Sequence, residues 1–180
     1  MRPAALVTGA RRGIGRATCA ALAARGFDVV GADLSDDGAV ETEAAVIAGG
    51  GAFRFLTADV AATPTQGALV EAAWAAFGGL ECLVNNAGVG AMARGDLLDV
   101  SEASFDRCLG VNTRGAFFLA QTVARRMVAA GAPVRGSRSI LFVSSANAFM
   151  PAIDRGEYCV SKAAASMVAK LFAVRLADAG

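Results

Sequence analysis

A glycine-rich turn near the start of the chain joins an apolar run to a helical pattern, and no other feature constrains the fold as strongly. The run Ala4–Thr8 has the length of a strand, Gly9, Gly13 and Gly15 lie in the turn, and the alanine-rich pattern Ile14–Ala24 is typical of a helix. In α/β folds this order places a phosphate group at the helix N-terminus, where free backbone N–H groups point towards it. The sequence therefore predicts a dinucleotide-binding unit, although the same glycines could form a loop that binds nothing.

Further apolar runs of strand length follow, and helical patterns separate them. The runs are Asp28–Asp33, Ala52–Thr57, Glu81–Asn85 and Ser139–Ser144, and the helical patterns are Ala39–Ala48, Thr65–Phe77, Glu102–Ala130 and Glu157–Ala179. Four of the five runs contain adjacent apolar residues, as expected for strands covered on both faces. This alternation predicts an α/β fold with a doubly wound parallel sheet in one domain, residues 1–180. Residues 88–99 and 131–137 are predicted to be loops.

Tyr158 and Lys162 stand four residues apart in the last helical pattern, and Ser145 precedes the tyrosine by thirteen residues. Residues four apart lie on one face of a helix. A cation beside a phenol favours the ionised form, so such a pair can exchange a proton near neutral pH. A nearby serine hydroxyl could hold a carbonyl or alcohol oxygen. Alone, the spacing would also suit a pair of surface side chains.

Together these motifs resemble the classical short-chain dehydrogenase/reductase family, and the resemblance extends along the whole chain. Thr8–Gly15 resembles the family's cofactor turn, Asp59 and Val60 its adenine-contacting pair, and Asn85–Gly88 its Asn-Asn-Ala-Gly signature. Asn112, Ser145, Tyr158 and Lys162 match its catalytic tetrad. Within the family, the chain is most similar to 3-oxoacyl-carrier-protein reductase-like members.

The resemblance implies hydride transfer between a nicotinamide cofactor and a carbonyl or secondary alcohol, for example a 3-oxoacyl-type ketone. Tyr158 would give or take the proton, Lys162 would bind the nicotinamide ribose, Ser145 would orient the substrate oxygen, and Asn112 would hold a water. In isolation, Ser145 could instead cap a turn and Asn112 could bond only to backbone. The implied cofactor-binding residues are Gly9, Arg11, Arg12, Gly13, Ile14, Gly15, Asp33, Leu34, Asp59, Val60, Asn86, Ala87, Gly88, Tyr158 and Lys162.

Asp33 decides the expected cofactor. It ends the second apolar run, 24 residues after Gly9, where a carboxylate can bind a ribose diol and would repel a 2′-phosphate. Arg11 and Arg12 argue for NADP, since basic residues in this turn bind that phosphate in related enzymes. Because two like charges held close together and partly desolvated repel strongly, we let Asp33 decide and expect NAD, with NADP less favoured.

Composition excludes several classes of function. The net charge is +1, which gives no basis for nucleic-acid binding, and no run reaches the ~18 apolar residues that a membrane helix needs. Histidine is absent, which excludes a Ser-His-Asp triad and the usual zinc sites, so no metal is expected. The four cysteines show no Cys-x-x-Cys spacing, which favours reduced core residues in a cytoplasmic protein.

Two expectations concern partners and the extent of the chain. The resemblance implies a homo-oligomer that associates through the helices at 102–130 and 157–179. Family members usually continue past the Tyr-Lys helix, so we expect a domain that is incomplete at its C-terminus, either a fragment or a natural short form. The strand Ser139–Ser144 would then form an open edge, and the 180 residues alone would self-associate and lack reductase activity. The alternative function is a dinucleotide-binding module without turnover; a sugar-nucleotide-modifying enzyme of the extended family is less favoured.

Overall fold

The computed structural model describes residues 2–133 and 136–179. In this part of the chain, strands and helices alternate as the sequence predicts. The strands are β1 (Ala4–Thr8), β2 (Asp28–Asp33), β3 (Phe53–Thr57), β4 (Cys82–Asn85) and β5 (Ser139–Phe142). The α-helices are α1 (Gly13–Ala24), α2 (Ala39–Ala48), α3 (Gln66–Phe77), α4 (Glu102–Leu109), α5 (Ala116–Ala129) and α6 (Gly156–Leu176).

All five strands pair in parallel, in the order β3-β2-β1-β4-β5. The chain first builds outward from β1 to β3 and then returns to add β4 on the other side of β1. The strand order therefore reverses between β1 and β4, and in open α/β sheets ligands bind beyond the carboxyl ends of the strands at this point. The prediction of a doubly wound parallel sheet is confirmed.

The core consists of two apolar layers, one on each face of the sheet. On one face, α3 and α5 pack on the sheet, and the cluster includes Leu6 and Leu83 from the strands and Leu119 and Val123 from α5. On the other face the apolar residues of the same strands pack against α1 and α2; this cluster includes Ala5, Val7, Cys19, Val29 and Val46. Every residue of β1 and of β4 is buried, which explains why these runs contain adjacent apolar residues rather than alternating ones.

The pattern at 102–130, predicted as one helix, contains a break. Between α4 and α5 the backbone forms a π-helical turn, Gly110–Gly115. Gly115 packs against the loop that follows β3, and a Cβ added there would come 2.6 Å from the carbonyl oxygen of Val60. A π-helical turn contains one more residue than an α-helical turn. Here it coincides with a contact to a distant segment, and such contacts leave no periodic signal in the sequence.

Smaller differences concern the ends of elements. β5 ends at Phe142 rather than Ser144; the Val143 N–H still donates to the Asn85 carbonyl of β4 (2.9 Å), but the Val143 carbonyl accepts a hydrogen bond from Lys162 Nζ. α6 begins at Gly156 and ends at Leu176, and a 3₁₀ turn covers Ala177–Ala179. The predicted loop at 88–99 is a loop with one 3₁₀ turn at Leu97–Asp99. The predicted loop at 131–137 includes residues 134 and 135, which lie outside the described residues.

None of the helices in the described ranges combines the length and the apolar character that crossing a membrane requires.

Candidate active site

The glycine turn lies at the carboxyl end of β1, as predicted. Gly9 and Gly13 have positive φ angles of 67° and 54°, a conformation that favours glycine. Gly15 packs so closely on the turn that an added Cβ would lie 1.9 Å from the Gly9 carbonyl oxygen. α1 begins at Gly13 and has no acidic residue in its first turn, so its N-terminal N–H groups face no carboxylate of their own helix. The turn therefore offers bare backbone donors to an anion such as a pyrophosphate.

Thr8 and Asn86 hold the ends of β1 and β4 together beneath this turn. The Thr8 hydroxyl oxygen accepts hydrogen bonds from the backbone N–H groups of Asn86 (3.1 Å) and Ala87 (3.0 Å). Asn86 Nδ2 in turn donates to the carbonyl oxygens of Thr8 (2.8 Å) and Gly9 (3.2 Å). The side chain of Asn86 thus fixes the shape of the glycine turn. Gly88, two residues later in the chain, lines the neighbouring cavity.

Asp33 and Arg11 face each other at the end of β2. The Asp33 carboxylate accepts hydrogen bonds from the backbone N–H groups of Arg11 (3.2 Å) and Leu34 (2.8 Å), and its Oδ1 lies 3.4 Å from Arg11 Nε. Arg11 also donates to the Ser35 hydroxyl (2.9 Å) and lies 3.6 Å from Asp37. The charge of Arg11 is therefore compensated by two carboxylates, whereas Arg12 is exposed.

Four further residues of the implied cofactor set differ in their exposure. Ile14 and Leu34 expose 65% and 61% of their surface, which leaves two apolar side chains free to contact a flat ring. Asp59 Oδ1 accepts a hydrogen bond from the Ala61 backbone N–H, so the carboxylate stabilises the turn after β3. Val60 is buried, and its carbonyl oxygen accepts a hydrogen bond from Gln66 Nε2.

Tyr158 and Lys162 lie on the same face of α6, as their spacing predicts. Lys162 Nζ is 5.9 Å from the centre of the Tyr158 ring and donates a hydrogen bond of 2.9 Å to the Val143 carbonyl oxygen. Only 6% of Lys162 is exposed, and this desolvation lowers the pKa of its ammonium group. α6 therefore places a buried cation behind a phenol.

Both side chains open into a cavity of about 490 Å³ beyond the ends of β1, β4 and β5. Ser145 lines the same cavity, and its oxygen also accepts a hydrogen bond from the Asn147 N–H (3.2 Å), which caps a short 3₁₀ turn at Ala146–Ala148. Both interpretations of Ser145, turn cap and active-site hydroxyl, thus fit its position. The cavity is lined by Ile14, Asn86, Gly88, Val89, Gly90, Ala91, Arg94, Val143, Ser144, Ser145, Asn147, Arg155, Tyr158 and Lys162.

Asn112 lies in the π-helical turn and is buried behind the cavity. Its Oδ1 accepts a hydrogen bond from the Val89 N–H (2.8 Å), while its Nδ2 donates to the Val89 carbonyl (2.9 Å) and to Ser161 Oγ (2.8 Å). A Cβ on Gly88 would lie 3.1 Å from Asn112 Oδ1 and 3.4 Å from Lys162 Nζ. The bare backbone of Gly88 therefore keeps the space between these two polar groups open.

The sequence interpretation missed a second set of polar contacts behind the site. Ser104 donates a hydrogen bond of 2.5 Å to the buried carboxylate of Glu157, and its oxygen accepts one from the Met92 N–H (3.0 Å). Ser161, fully buried, links Asn112 to the Tyr158 carbonyl (2.8 Å). The contacts fasten the loop at 88–99 to α4 and α6. Their only sequence signal was a polar residue at a helix position that faces the core.

A comparison with protein families decides the family of the chain. A family model described as short chain dehydrogenase matches residues 3–180. The chain belongs to the short-chain dehydrogenase family. The family resemblance inferred from the motifs is thereby confirmed. Within the described residues of this short-chain dehydrogenase, no group of three His, Cys, Asp or Glu side chains is placed to hold a metal ion.

Similar proteins include several dehydrogenases. The chain is 36% identical over 169 residues to the 2-dehydro-3-deoxy-D-gluconate 5-dehydrogenase of Dickeya dadantii, an alignment that covers 94% of this chain and 64% of the relative. It is 34% identical over 176 residues to the D-threitol dehydrogenase of Mycolicibacterium smegmatis, covering 98% of this chain and 65% of the relative. The chain thus spans just under two thirds of the length of these curated relatives.

Among solved structures, a 3-oxoacyl-[acyl-carrier protein] reductase from Brucella melitensis in complex with NAD is similar with a TM-score of 0.94 and 45% identity. The match covers 99% of this chain and 70% of that one. A metagenomic short-chain oxidoreductase in complex with NADP matches with a TM-score of 0.88 and 29% identity, covering 98% and 77% of the two chains.

Proposed function

We propose that this short-chain dehydrogenase transfers a hydride between a nicotinamide cofactor and a carbonyl or secondary alcohol. The observation that carries the proposal is that Tyr158, Lys162 and Ser145 open into one cavity, and that this cavity also reaches the glycine turn through Ile14 and Asn86. The glycine turn suits a dinucleotide because its backbone lacks the side chains that would block a pyrophosphate. Residues 1–180 would then belong to one dinucleotide-binding catalytic domain built on a single sheet.

When bound, the nicotinamide supplies or accepts the hydride. In the direction of reduction, the Tyr158 hydroxyl donates a proton to the substrate oxygen, and Ser145 holds that oxygen with a hydrogen bond. Lys162 stabilises the phenolate that remains and can donate a second hydrogen bond to the nicotinamide ribose. Asn112, through its contacts with Val89 and Ser161, holds the cavity wall and α6 in register. Because both N–H groups of the Asn112 amide and one lone pair of its Oδ1 already have these partners, the water that Asn112 is proposed to hold would bind to the second lone pair of Oδ1.

We further propose NAD as the preferred cofactor, with the fifteen positions named from the sequence as its binding residues. Asp33 supports this preference, since it lies where a ribose diol would be accepted and holds the charge of Arg11 away from a free phosphate. The solved relatives include one complex with NAD and one with NADP, so they favour neither cofactor. Support for the proposed preference comes from Asp33 and Arg11.

The proposed substrate is a small carbonyl or alcohol. The proposed assembly is a homo-oligomer formed through the helices at 102–130 and 157–179. Apolar side chains on these helices support the assembly: Phe105, Val160, Met167 and Leu171 expose 38%, 49%, 53% and 55% of their surface. A cytoplasmic location fits the four free cysteines, three of which are buried.

The proposal is tested with Tyr158→Phe, which removes the proton donor but keeps the ring. In a protein that carries these residues at the full length of the relatives, we expect turnover with NAD to fall by about 10²–10⁴-fold, the usual contribution of a general acid or base, while the dissociation constant for NAD changes little. Cys159→Ser on the same helix is the control, because Cys159 does not line this cavity. Near-normal kcat in Tyr158→Phe would contradict the assignment, and NAD binding without turnover in the unsubstituted protein of that full length would favour the non-catalytic module instead.

A further inference from the structure

Two arginines line the candidate active site, and the proposed reaction uses neither of them. Arg94 comes from the loop after β4, and Arg155 comes from the turn that leads into α6, three residues before Tyr158. Arg94 is exposed, whereas only 29% of the Arg155 side chain is accessible. Two segments that are 61 residues apart thus bring guanidinium groups to the same wall.

A single carboxylate holds both arginines. Asp154 Oδ1 lies 3.2 Å from Arg155 Nε, and Asp154 Oδ2 lies 3.7 Å from Arg94 Nη1. The Gly95 N–H also donates to the Asp154 carbonyl oxygen (3.3 Å), which ties the loop to the turn. The hydrogen bond from Arg155 is the main reason that the pKa of Asp154 is lowered, and the charge of Arg94 adds to it. Each arginine contacts Asp154 through one nitrogen, so the other N–H groups of both guanidinium groups remain available to another acceptor.

Even with Asp154 counted, the wall of the cavity carries more positive than negative charge, because one carboxylate faces two arginines and Lys162 adds a third cation. Arg94, Arg155 and Lys162 line it, and no aspartate or glutamate is among its described lining residues. The neighbouring cavity of about 580 Å³ shows the opposite sign, with Glu102, Asp106 and Glu157 in its wall and no basic residue among those described. A concave site lined by one sign of charge attracts ligands of the opposite sign. Two guanidinium forks side by side suit the paired oxygens of a carboxylate or a phosphate ester.

We propose that the substrate carries an anionic substituent, a carboxylate or a phosphate ester, which Arg94 and Arg155 bind while its reacting oxygen lies at Tyr158 and Ser145. This inference rests on the proposed function and adds the class of substrate to it. The phosphates of the cofactor are assigned to the glycine turn at the N-terminus of α1, so they do not account for the two arginines.

The test uses two matched pairs of ligands, one for each source of negative charge. D-gluconate is compared with the neutral D-glucitol, and sn-glycerol 3-phosphate is compared with glycerol. Dissociation constants are measured by ligand-observed NMR in the presence of NAD, and kcat and KM are measured wherever oxidation occurs. The variants are Arg94→Gln, Arg155→Gln and the double variant. The control is Arg25→Gln, because Arg25 is an exposed arginine at the far end of α1.

We expect one of the two anions to bind at least about tenfold more tightly than its neutral partner, as charge-assisted hydrogen bonds allow. The double variant should abolish this preference by weakening the anion alone, with a rise in KM and little change in kcat, and Arg25→Gln should leave it intact. Added salt should weaken the anion and spare the neutral ligand.

Several results would overturn the proposal. These are equal binding of anion and neutral partner in both pairs, an equal loss of both ligands in the double variant, or a loss of NAD affinity in that variant. The two proposals can fail separately. In a protein of the relatives' full length, Tyr158→Phe should retain the preference for the anion while losing turnover. An anion preference in such a protein without any turnover would support the arginine site and reject the proposed reaction.

Discussion

At the scale of single residues, Asp33 supplies the carboxylate that faces Arg11 in the proposed cofactor site. Its carboxylate lies 3.4 Å from Arg11 Nε and also accepts the backbone N–H of Arg11. Removing that carboxylate would leave one fewer partner for the guanidinium, so Arg11 would be available to a 2′-phosphate. On the proposed assignment of the cofactor site, the preference between NAD and NADP would depend on which partner Arg11 has.

We therefore expect the unsubstituted protein to bind NAD(H) more tightly than NADP(H), and Asp33→Ala to narrow or reverse that order. Titration of both cofactors against both proteins measures it. Asp28→Ala is the matched control, because Asp28 starts the same strand at its other end and pairs with Arg2 (3.2 Å). Its loss should affect stability and leave the cofactor ratio unchanged. A preference for NADP(H) in the unsubstituted protein would reject the argument.

Spacing within the sequence predicted some of these residues and not others. Tyr158 and Lys162 could be paired in advance because residues four apart on a helix share a face. The partners of Asn112 could not, since Val89 and Ser161 lie 23 and 49 residues away in the chain. Arg94 lies in a loop and Arg155 in a single 3₁₀ turn, and both are too short for a period to indicate which way a side chain points. Their common cavity is a property of the fold alone.

At the scale of elements, the strands were predictable because burial on both faces leaves a direct record in the sequence. β1 and β2 have the predicted bounds, and the other three strands differ from them by one or two residues at one end. The junction of α4 and α5 was not predictable, because the apolar pattern continues through it. What distinguishes the π-helical turn is the close approach of Gly115 to the Val60 carbonyl, which only the assembled sheet creates.

We expect Gly115→Ala to destabilise the protein by about 1–3 kcal/mol, the usual cost of forcing an extra methyl group into packed structure. Its Cβ would lie 2.6 Å from Val60 O and 3.0 Å from Val60 C, both backbone atoms that cannot turn aside. Gly110→Ala is the matched control at the start of the same turn. It has a helical backbone and no atom within 4 Å of the added Cβ, so it should be neutral or stabilising by up to about 1 kcal/mol. Urea unfolding of both variants measures the difference, and equal stabilities would contradict it.

At the scale of the whole molecule, the two ends of the sheet differ. β3 and β5 are its edge strands, and each pairs with one neighbour among the described residues; the exposed residues of β3 are Arg54 and Thr57. Leu141 in β5 is 50% exposed, and a cavity of about 740 Å³ lies beside the strand, lined by Ile140, Phe172 and Leu176 among others. An apolar edge strand of this kind is a template for pairing with another chain. A second apolar surface, on α6 and α4, includes Val160 at 49% exposure.

The two surfaces lead to different kinds of association, and a matched pair of variants separates them. We expect residues 1–180 to form species larger than the 18.1 kDa monomer that grow with concentration, because an edge strand can add partners without closing. Leu141→Lys should suppress this growth, since a charge on an edge strand opposes pairing. Val160→Lys, at an equally exposed position, should leave the growth intact and remove only a defined dimer. Size-exclusion chromatography with light scattering, over a range of concentrations, distinguishes the outcomes. Growth that persists in Leu141→Lys but disappears in Val160→Lys would move the association from the edge of the sheet to α6.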